Sequence, residues 1–318
     1  MITVTEPVVL LPYPSEQIPG MPDGLAPSVF DGAEYDGRPG PPPTELLARV
    51  ELLVVPYMQT GTVLPLLGAM ERLRVVQTQT AGVDDILPHL PAGVTLCNAR
   101  GVHDASTAEL AVALTLAALR DIPGFVRGQD AEQWRAGFYP ALADKRVLIV
   151  GYGSVGAAIE ARLRPFEVEV ERVARTARAT EYGPVRPLAE LPALLPRADV
   201  VILAVPLSEQ TRGLVDAAFL AALPDGALLV NVARGPVVRT EALLAELTAG
   251  RLRAALDVTD PEPLPAGHPL WHAPNLLISP HVGGSSSAFL PRARRLIGEQ
   301  LSRFAKGEPL ANVVSPAG

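Results

Sequence analysis

The chain has 318 residues, which at roughly 150 residues per domain calls for about two domains. Apolar residues make up 48% and charged residues 19%, enough to build sizeable cores and too apolar for a disordered chain. A formal net charge of −7 argues against a nucleic-acid binder, and the single cysteine, Cys97, excludes an intramolecular disulfide and a cysteine-based zinc cluster. Aromatics are only 5%, so the cores are aliphatic. The cations are almost all arginine; Lys145 and Lys306 are the only lysines, and neither lies in a promising context for Schiff-base chemistry. Met1 to Leu11 lacks the basic start and cleavage site of a secretory signal, and the longest apolar helical run, Leu110 to Leu119, is too short for a bilayer. A cytoplasmic protein with no membrane partner is the expectation.

Short apolar runs alternate with helical patterns from end to end. The strand-like runs are Val8–Leu11, Leu52–Val55, Arg74–Gln77, Val94–Cys97, Arg146–Val150, Val168–Val173, Val200–Val205, Ala227–Val232, Arg253–Val258 and Leu276–Ser279. Most do not alternate cleanly, as expected of parallel strands covered on both faces by helices. Residues 12–43, rich in Pro and Gly, predict an irregular surface excursion. Ser106-Thr107-Ala108-Glu109 has the pattern of a capping box opening a helix to Leu119. Thr240 is placed to cap a helix that stops at Gly250. From Ser287 to Lys306, Phe289, Ala293, Leu296, Ile297, Leu301 and Phe304 share one helical face, and Gly307 ends it. The pattern predicts an α/β fold of two doubly wound domains: residues 1–100 with 286–318, and residues 101–285.

Gly151-Tyr152-Gly153-Ser154-Val155-Gly156 follows one apolar strand and opens a helix. In that context Gly151 permits the tight turn, Gly153 lets backbone approach a pyrophosphate, and Gly156 allows close helix–strand contact. The helix start then offers N–H groups and partial positive charge to phosphates. The next strand ends Val173-Ala174-Arg175-Thr176-Ala177-Arg178, without the terminal carboxylate that an NAD site uses for its ribose. Arg175, Thr176 and Arg178 suit a 2′-phosphate instead, which favours NADP over NAD. Glu171 is the rival acid, expected to point to solvent with Glu167 and Glu169.

Three later strands end in polar residues: Asn231-Val232-Ala233 in Arg234, Leu256-Asp257-Val258 in the stretch holding Glu262, and Ile278-Ser279-Pro280 in His281. Residues beyond the carboxyl ends of parallel strands face the ligand crevice. Taken singly, each has an ordinary structural explanation. Together, beside a dinucleotide turn, they form a catalytic set: Arg234 to grip a carboxylate, His281 to exchange a proton, and Glu262 to orient the imidazole and stabilise its protonated form. His89, His103, His268 and His272 lie in loop-like segments and are expected at the surface.

These segments resemble the D-isomer-specific 2-hydroxyacid dehydrogenases. The matching stretches are Thr80-Ala81-Gly82-Val83-Asp84, Ser106 to Glu109, Gly151 to Gly156, Ala198 through Thr211, Asn231 to Gly235, Leu256 to Pro265 and Ser279 to Gly284. The resemblance implies two Rossmann-like domains, the first flavodoxin-like and substrate-binding, the second dinucleotide-binding, with a cleft between them. It implies that Arg234 holds the substrate carboxylate and carbonyl, that His281 is the acid/base, and that Glu262 supports it. The backbone of Ala81 and Gly82 would hold the carboxylate, and Tyr57 and Met58 an uncharged side group. Cofactor contacts are implied at Gly151, Gly153, Ser154, Val155, Gly156, Arg175, Thr176, Arg178, Pro206, Thr211, Val232, Ala233, Gly283 and Gly284, with Asp257 on the nicotinamide carboxamide. A homodimer through the cofactor domains is also implied.

Arg239-Thr240 stands where the family usually has an acidic pair, and Ala174 where it commonly has Asp. The second departure matches members similar to NADPH-dependent glyoxylate/hydroxypyruvate reductases. The expectation is thus a reductase of small 2-oxo acids. An NAD-dependent D-2-hydroxyacid dehydrogenase and a dinucleotide-sensing corepressor are the alternatives, the latter separated by turnover.

Overall fold

The computed structural model describes residues 6–314; the first five residues of the Met1–Leu11 segment and the last four of the chain lie outside the described residues. The chain divides into two compact units, one holding the N-terminal part to His103 and the segment from Ser287 on, the other Asp104–Ser286.

The first unit contains strands β1 (Val8–Leu11), β2 (Ala26–Val29), β3 (Glu34–Tyr35), β4 (Arg38–Pro39), β5 (Val50–Val54), β6 (Val75–Gln77) and β7 (Thr95–Cys97). Five form one parallel sheet in the order β2-β1-β5-β6-β7, which is the flavodoxin-type winding once the small β3–β4 hairpin is set aside. Both faces are covered. Leu10, Leu53 and Val76 point into one core; Val9, Leu52 and Val54 point into the other, where Ile297 and Leu301 of the Phe289–Lys306 helix meet them. Each of those two side chains, essentially fully buried, contributes about 1.5–3 kcal/mol. Gln300 of the same helix donates to the Gln77 side-chain oxygen at 2.7 Å and fixes its orientation.

The second unit contains β8 (Arg146–Val150), β9 (Glu169–Ala174), β10 (Arg178–Thr180), β11 (Gly183–Pro187), β12 (Val200–Leu203), β13 (Leu228–Asn231), β14 (Arg253–Leu256) and β15 (Leu276–Ile278). They form one sheet in the order β10-β11-β9-β8-β12-β13-β14-β15, parallel except for β10–β11. Val147 and Ile149 face the Asp104–Leu119 and Ser154–Leu163 helices, while Leu148 and Val150 face the other layer. Burial on both sides is why these strands read as unbroken apolar runs. The winding reverses between β8 and β12, so the turn after β8 sits at the switch point of the sheet.

Four local expectations are corrected. The helix read as opening at Ser106 begins at Asp104, and Ser106 is buried within it, so the capping-box match is incidental. Thr240 is the first residue of its helix rather than the cap, and its hydroxyl donates to the Asp260 carbonyl at 2.8 Å. The 12–43 excursion supplies an edge strand, β2, and the β3–β4 hairpin. His103 is buried, not a surface residue: its Nε2 lies 2.7 Å from the Gln79 carbonyl, and its ring stacks with Tyr57 and Phe289. His89 and His272 are exposed.

Candidate active site

The glycine turn links β8 to the Ser154–Leu163 helix. Gly151 has φ +104°, and a Cβ there would fall on the Ala204 backbone of the neighbouring chain segment. A Cβ on Gly156 would strike the Gly151 carbonyl oxygen, so helix and strand meet at glycine-only distance. Gly153 is different: it is exposed, and the space its side chain would occupy is open. The helix start has no side-chain cap, so the first-turn N–H groups at Ser154, Val155 and Gly156 face that opening. An open cradle with uncapped donors fits a dinucleotide pyrophosphate. The Ser154 hydroxyl donates to Asp104 at 3.1 Å.

At the tip of β9, Arg175 and Thr176 are exposed. Arg178, on β10, turns back: its Nη2 donates to the Tyr152 carbonyl. Glu171 pairs with Arg186 of β11 at 3.2 Å, both side chains 38% exposed, so its carboxylate lies at the surface as expected but is engaged along the sheet. Beyond β12, the Thr211 hydroxyl donates to the Pro206 carbonyl at 2.7 Å and accepts from the Ser208 N–H at 2.8 Å, closing that turn.

Arg234, Glu262 and His281 follow β13, β14 and β15, three adjacent strands. Asn231 shapes the first loop. Its side chain accepts from the Ala233 N–H at 3.0 Å and donates to the Arg234 carbonyl at 3.1 Å. Val232 and Ala233 are buried there. Gly235 packs so tightly on the Thr259 backbone that a Cβ has no room, and this contact joins the Arg234 loop to the Glu262 loop. The peptide bonds before Pro261 and Pro263 are both cis.

Asp257, 3% exposed, organises the third loop. One carboxylate oxygen accepts from the Ser279 hydroxyl at 2.6 Å and the Val282 N–H at 2.9 Å; the other accepts from the Gly283 N–H at 2.9 Å. With His281 at φ +53°, the imidazole reaches Glu262: Nδ1 hydrogen-bonds to Oε1. An ionised carboxylate only accepts, so Nδ1 carries the proton and Nε2 is the ring atom turned to other work. Burial works to raise the Glu262 pKa, but the His281 hydrogen bond and charge, the Thr259 N–H and the charge of Arg234 outweigh it and hold the carboxyl below its ordinary value. Arg234 is therefore close enough to act electrostatically on the pair. Its Nη1 donates to the Ala233 carbonyl at 2.8 Å.

In the first unit, Met58 is an exposed residue at φ +57° and Tyr57 packs on Phe289 with ring centroids 4.1 Å apart. The Ala81 carbonyl accepts from Asn98 at 2.9 Å and the Gly82 carbonyl from Thr80 at 2.7 Å, so this loop is held from its acceptor side.

A buried polar group escaped the sequence reading. Glu160, Arg172 and Tyr152 lie together beneath the glycine turn. Arg172 donates from Nε to Glu160 at 2.7 Å and again from Nη2, and the Tyr152 hydroxyl donates to the same carboxylate. Burial, with the Glu160 charge, pushes the Tyr152 phenol up to about 12. The available signal was Glu160 itself: it falls four residues after Gly156, on the helix face that must pack against the sheet.

Comparison with known proteins gives the family. Residues 112–283 match the model of the D-isomer specific 2-hydroxyacid dehydrogenase NAD binding domain, more than half of the chain. A glyoxylate reductase from Thermofilum pendens is 34% identical over 76% of this chain and 75% of its own length. A D-3-phosphoglycerate dehydrogenase from Archaeoglobus fulgidus is 31% identical over 90% of this chain, which spans only 56% of that longer protein. The crystal structure of a D-isomer specific 2-hydroxyacid dehydrogenase from Xanthobacter autotrophicus Py2, in complex with NADPH and MES, superposes with a TM-score of 0.78 at 30% identity, covering 98% of each chain. The chain belongs to the D-isomer-specific 2-hydroxyacid dehydrogenases. It is an oxidoreductase of the NAD(P)-dependent 2-hydroxyacid class.

Proposed function

We propose that this protein reduces a small 2-oxo acid to the D-2-hydroxy acid with NADPH, in the manner of a glyoxylate/hydroxypyruvate reductase. The observation that carries the proposal is the hydrogen-bonded His281–Glu262 pair, under the charge of Arg234, at the ends of three adjacent strands in the sheet that bears the dinucleotide turn.

When bound, the nicotinamide supplies the hydride. Arg234 grips the substrate carboxylate and polarises its ketone. Glu262 holds the Nδ1 proton of His281, so that Nε2 points its own proton at the carbonyl oxygen. Reduction starts from the protonated imidazole and therefore slows as pH rises, whereas oxidation needs the neutral ring and speeds up. Asp257 is proposed to act mainly by shaping the 279–283 loop that presents His281 and Gly283. Tyr57, Met58 and the Ala81–Gly82 backbone are proposed as substrate contacts on the strength of their motif.

NADP(H) is favoured by the absence of a carboxylate at the β9 tip, the engagement of Glu171 by Arg186, and the cations Arg175 and Arg178. The Xanthobacter relative, which carries NADPH, agrees with that choice. A homodimer is supported by Trp134 and Phe138, 96% and 109% exposed in the segment after the Ile122–Asp130 helix, too much apolar surface for solvent. Replacing both with Ser should leave a monomer by light scattering. A cytoplasmic location is part of the proposal and is read by cell fractionation; no helix among the described residues is long and apolar enough to cross a membrane.

The deciding experiment is a panel of glyoxylate, hydroxypyruvate, pyruvate and larger 2-oxo acids with NADPH and NADH. Turnover of a small 2-oxo acid with NADPH is the expected result. No turnover with any acid and either cofactor would sink the enzymatic proposal and favour a sensing role.

A further inference from the structure

The polar group beneath the glycine turn takes no part in hydride transfer, yet it is built more rigidly than the catalytic pair. Glu160 is 2% exposed and receives two donors from Arg172 and one from Tyr152. A buried carboxylate so fully engaged has one arrangement. Tyr152 is the residue between the first two glycines of the turn, and this anchor pulls its ring under the turn.

The backbone of the same residue receives Arg178. Nη2 of Arg178 donates to the Tyr152 carbonyl, Nη1 reaches the Thr176 carbonyl at 3.4 Å, and its guanidinium carbon stands 5.8 Å from the Tyr152 ring centroid. Arg172 approaches that ring to 5.9 Å. Arg178 sits on a short edge hairpin, where a long side chain would otherwise sample many rotamers. Here ring and carbonyl choose one for it. These contacts use two of the guanidinium's five N–H groups. The remaining donors are left beside Gly153 and the exposed Arg175–Thr176 tip, the end of the second strand where a dinucleotide fold meets the adenosine ribose.

We propose that Tyr152, anchored by the Glu160–Arg172 pair, is a positioning residue for cofactor choice: it holds Arg178 in place to bind the 2′-phosphate of NADP(H). The proposal rests on the NADP(H) assignment above and adds to it the device that orders the cation.

The experiment measures kcat and KM for NADPH and NADH, with one 2-oxo acid, in wild type, Arg178→Ala, Tyr152→Leu and Tyr152→Phe. Both Arg178→Ala and Tyr152→Leu should lower the NADPH-to-NADH ratio of kcat/KM by about tenfold or more, the loss lying in the NADPH KM rather than kcat. Tyr152→Phe keeps the ring but removes the hydroxyl that ties it to Glu160, and should lower the ratio by about threefold, less than the ring-free variant. Should Tyr152→Leu fail to fold, Tyr152→Met provides a second ring-free side chain of flexible shape. A ratio lost in Arg178→Ala but kept in the ring-free variant overturns the positioning role alone. So does an equal rise in both KM values, which marks a merely structural part. A wild type that favours NADH and ignores Arg178→Ala overturns the NADP(H) assignment itself, and the positioning role with it.

Discussion

Two carboxylate–cation pairs occupy the second unit, and solvent treats them differently. In the Glu160–Arg172 pair the side chains are 2% and 10% exposed; in the Glu262–His281 pair they are 36% and 28% exposed. The buried pair combines an acid with a cation that never deprotonates, packed between helix and strand. Its charges have nowhere to go, so it serves as scaffold. The half-exposed pair joins an acid to an imidazole, whose proton is exchangeable near neutral pH. Its side chains keep roughly a quarter to a third of their surface open to solvent, which a reacting molecule needs. The same chemistry of attraction therefore yields a fixed strut in one place and, on the function proposed above, a proton-handling site in the other, and burial with the choice of cation makes the difference.

The contrast can be broken most forcefully at the open pair. His281→Ala should cut kcat by about 10²–10⁴ while the thermal midpoint and cofactor affinity barely move, because a half-exposed ring carries the chemistry and little of the fold. An undiminished rate would remove His281 from the acid role. At the buried pair the balance inverts. Arg172→Leu alone leaves a buried unpaired carboxylate and should cost about 3–5 kcal/mol in denaturant unfolding, whereas Glu160→Leu with Arg172→Leu together should recover most of that loss. A single variant as stable as wild type would show the pair to be solvated in solution.

A third change tests how the open pair is kept in register with Arg234. Gly235→Ala puts a methyl group on the Thr259 backbone, so the two loops must part; about 1–3 kcal/mol of stability and up to about 100-fold in kcat/KM should go. Normal kinetics would mean that the loop contact does not set the site. The smallest effect is on pH-dependent stability. The folded pKa of Glu262 lies below its ordinary value, so its contribution is full above the unfolded carboxyl pKa of about 4.3 and is lost as pH falls through the lower folded value. Urea unfolding of wild type against Glu262→Gln should differ near neutral pH by less than about 1 kcal/mol, since solvent screens the pair, and converge at acid pH. A gap that widens in acid would reverse the sign.

Much of this was legible in the residues. The ten apolar runs are all strands, because a parallel sheet covered on both faces demands them, and Val147-Leu148-Ile149-Val150 shows both faces at once. Local rules failed where long-range packing decided. Ala26-Pro27-Ser28-Val29 has no strand signal of its own and becomes β2 because β1 offers it an edge. His103 looked like a loop residue and is buried because Tyr57 and Phe289, distant in sequence, close on its ring.

By itself the sequence determined the alternation of strands and helices, the glycine turn and the placing of Arg234, Glu262 and His281 at strand ends, since periodicity and glycine sterics act over a few residues. Only the tertiary structure decided which charged pair is sealed from solvent and which stays open to it. Glu160 and Glu262 are the same residue type, and what separates them is how much water each keeps, a property set by neighbours that the chain brings from elsewhere.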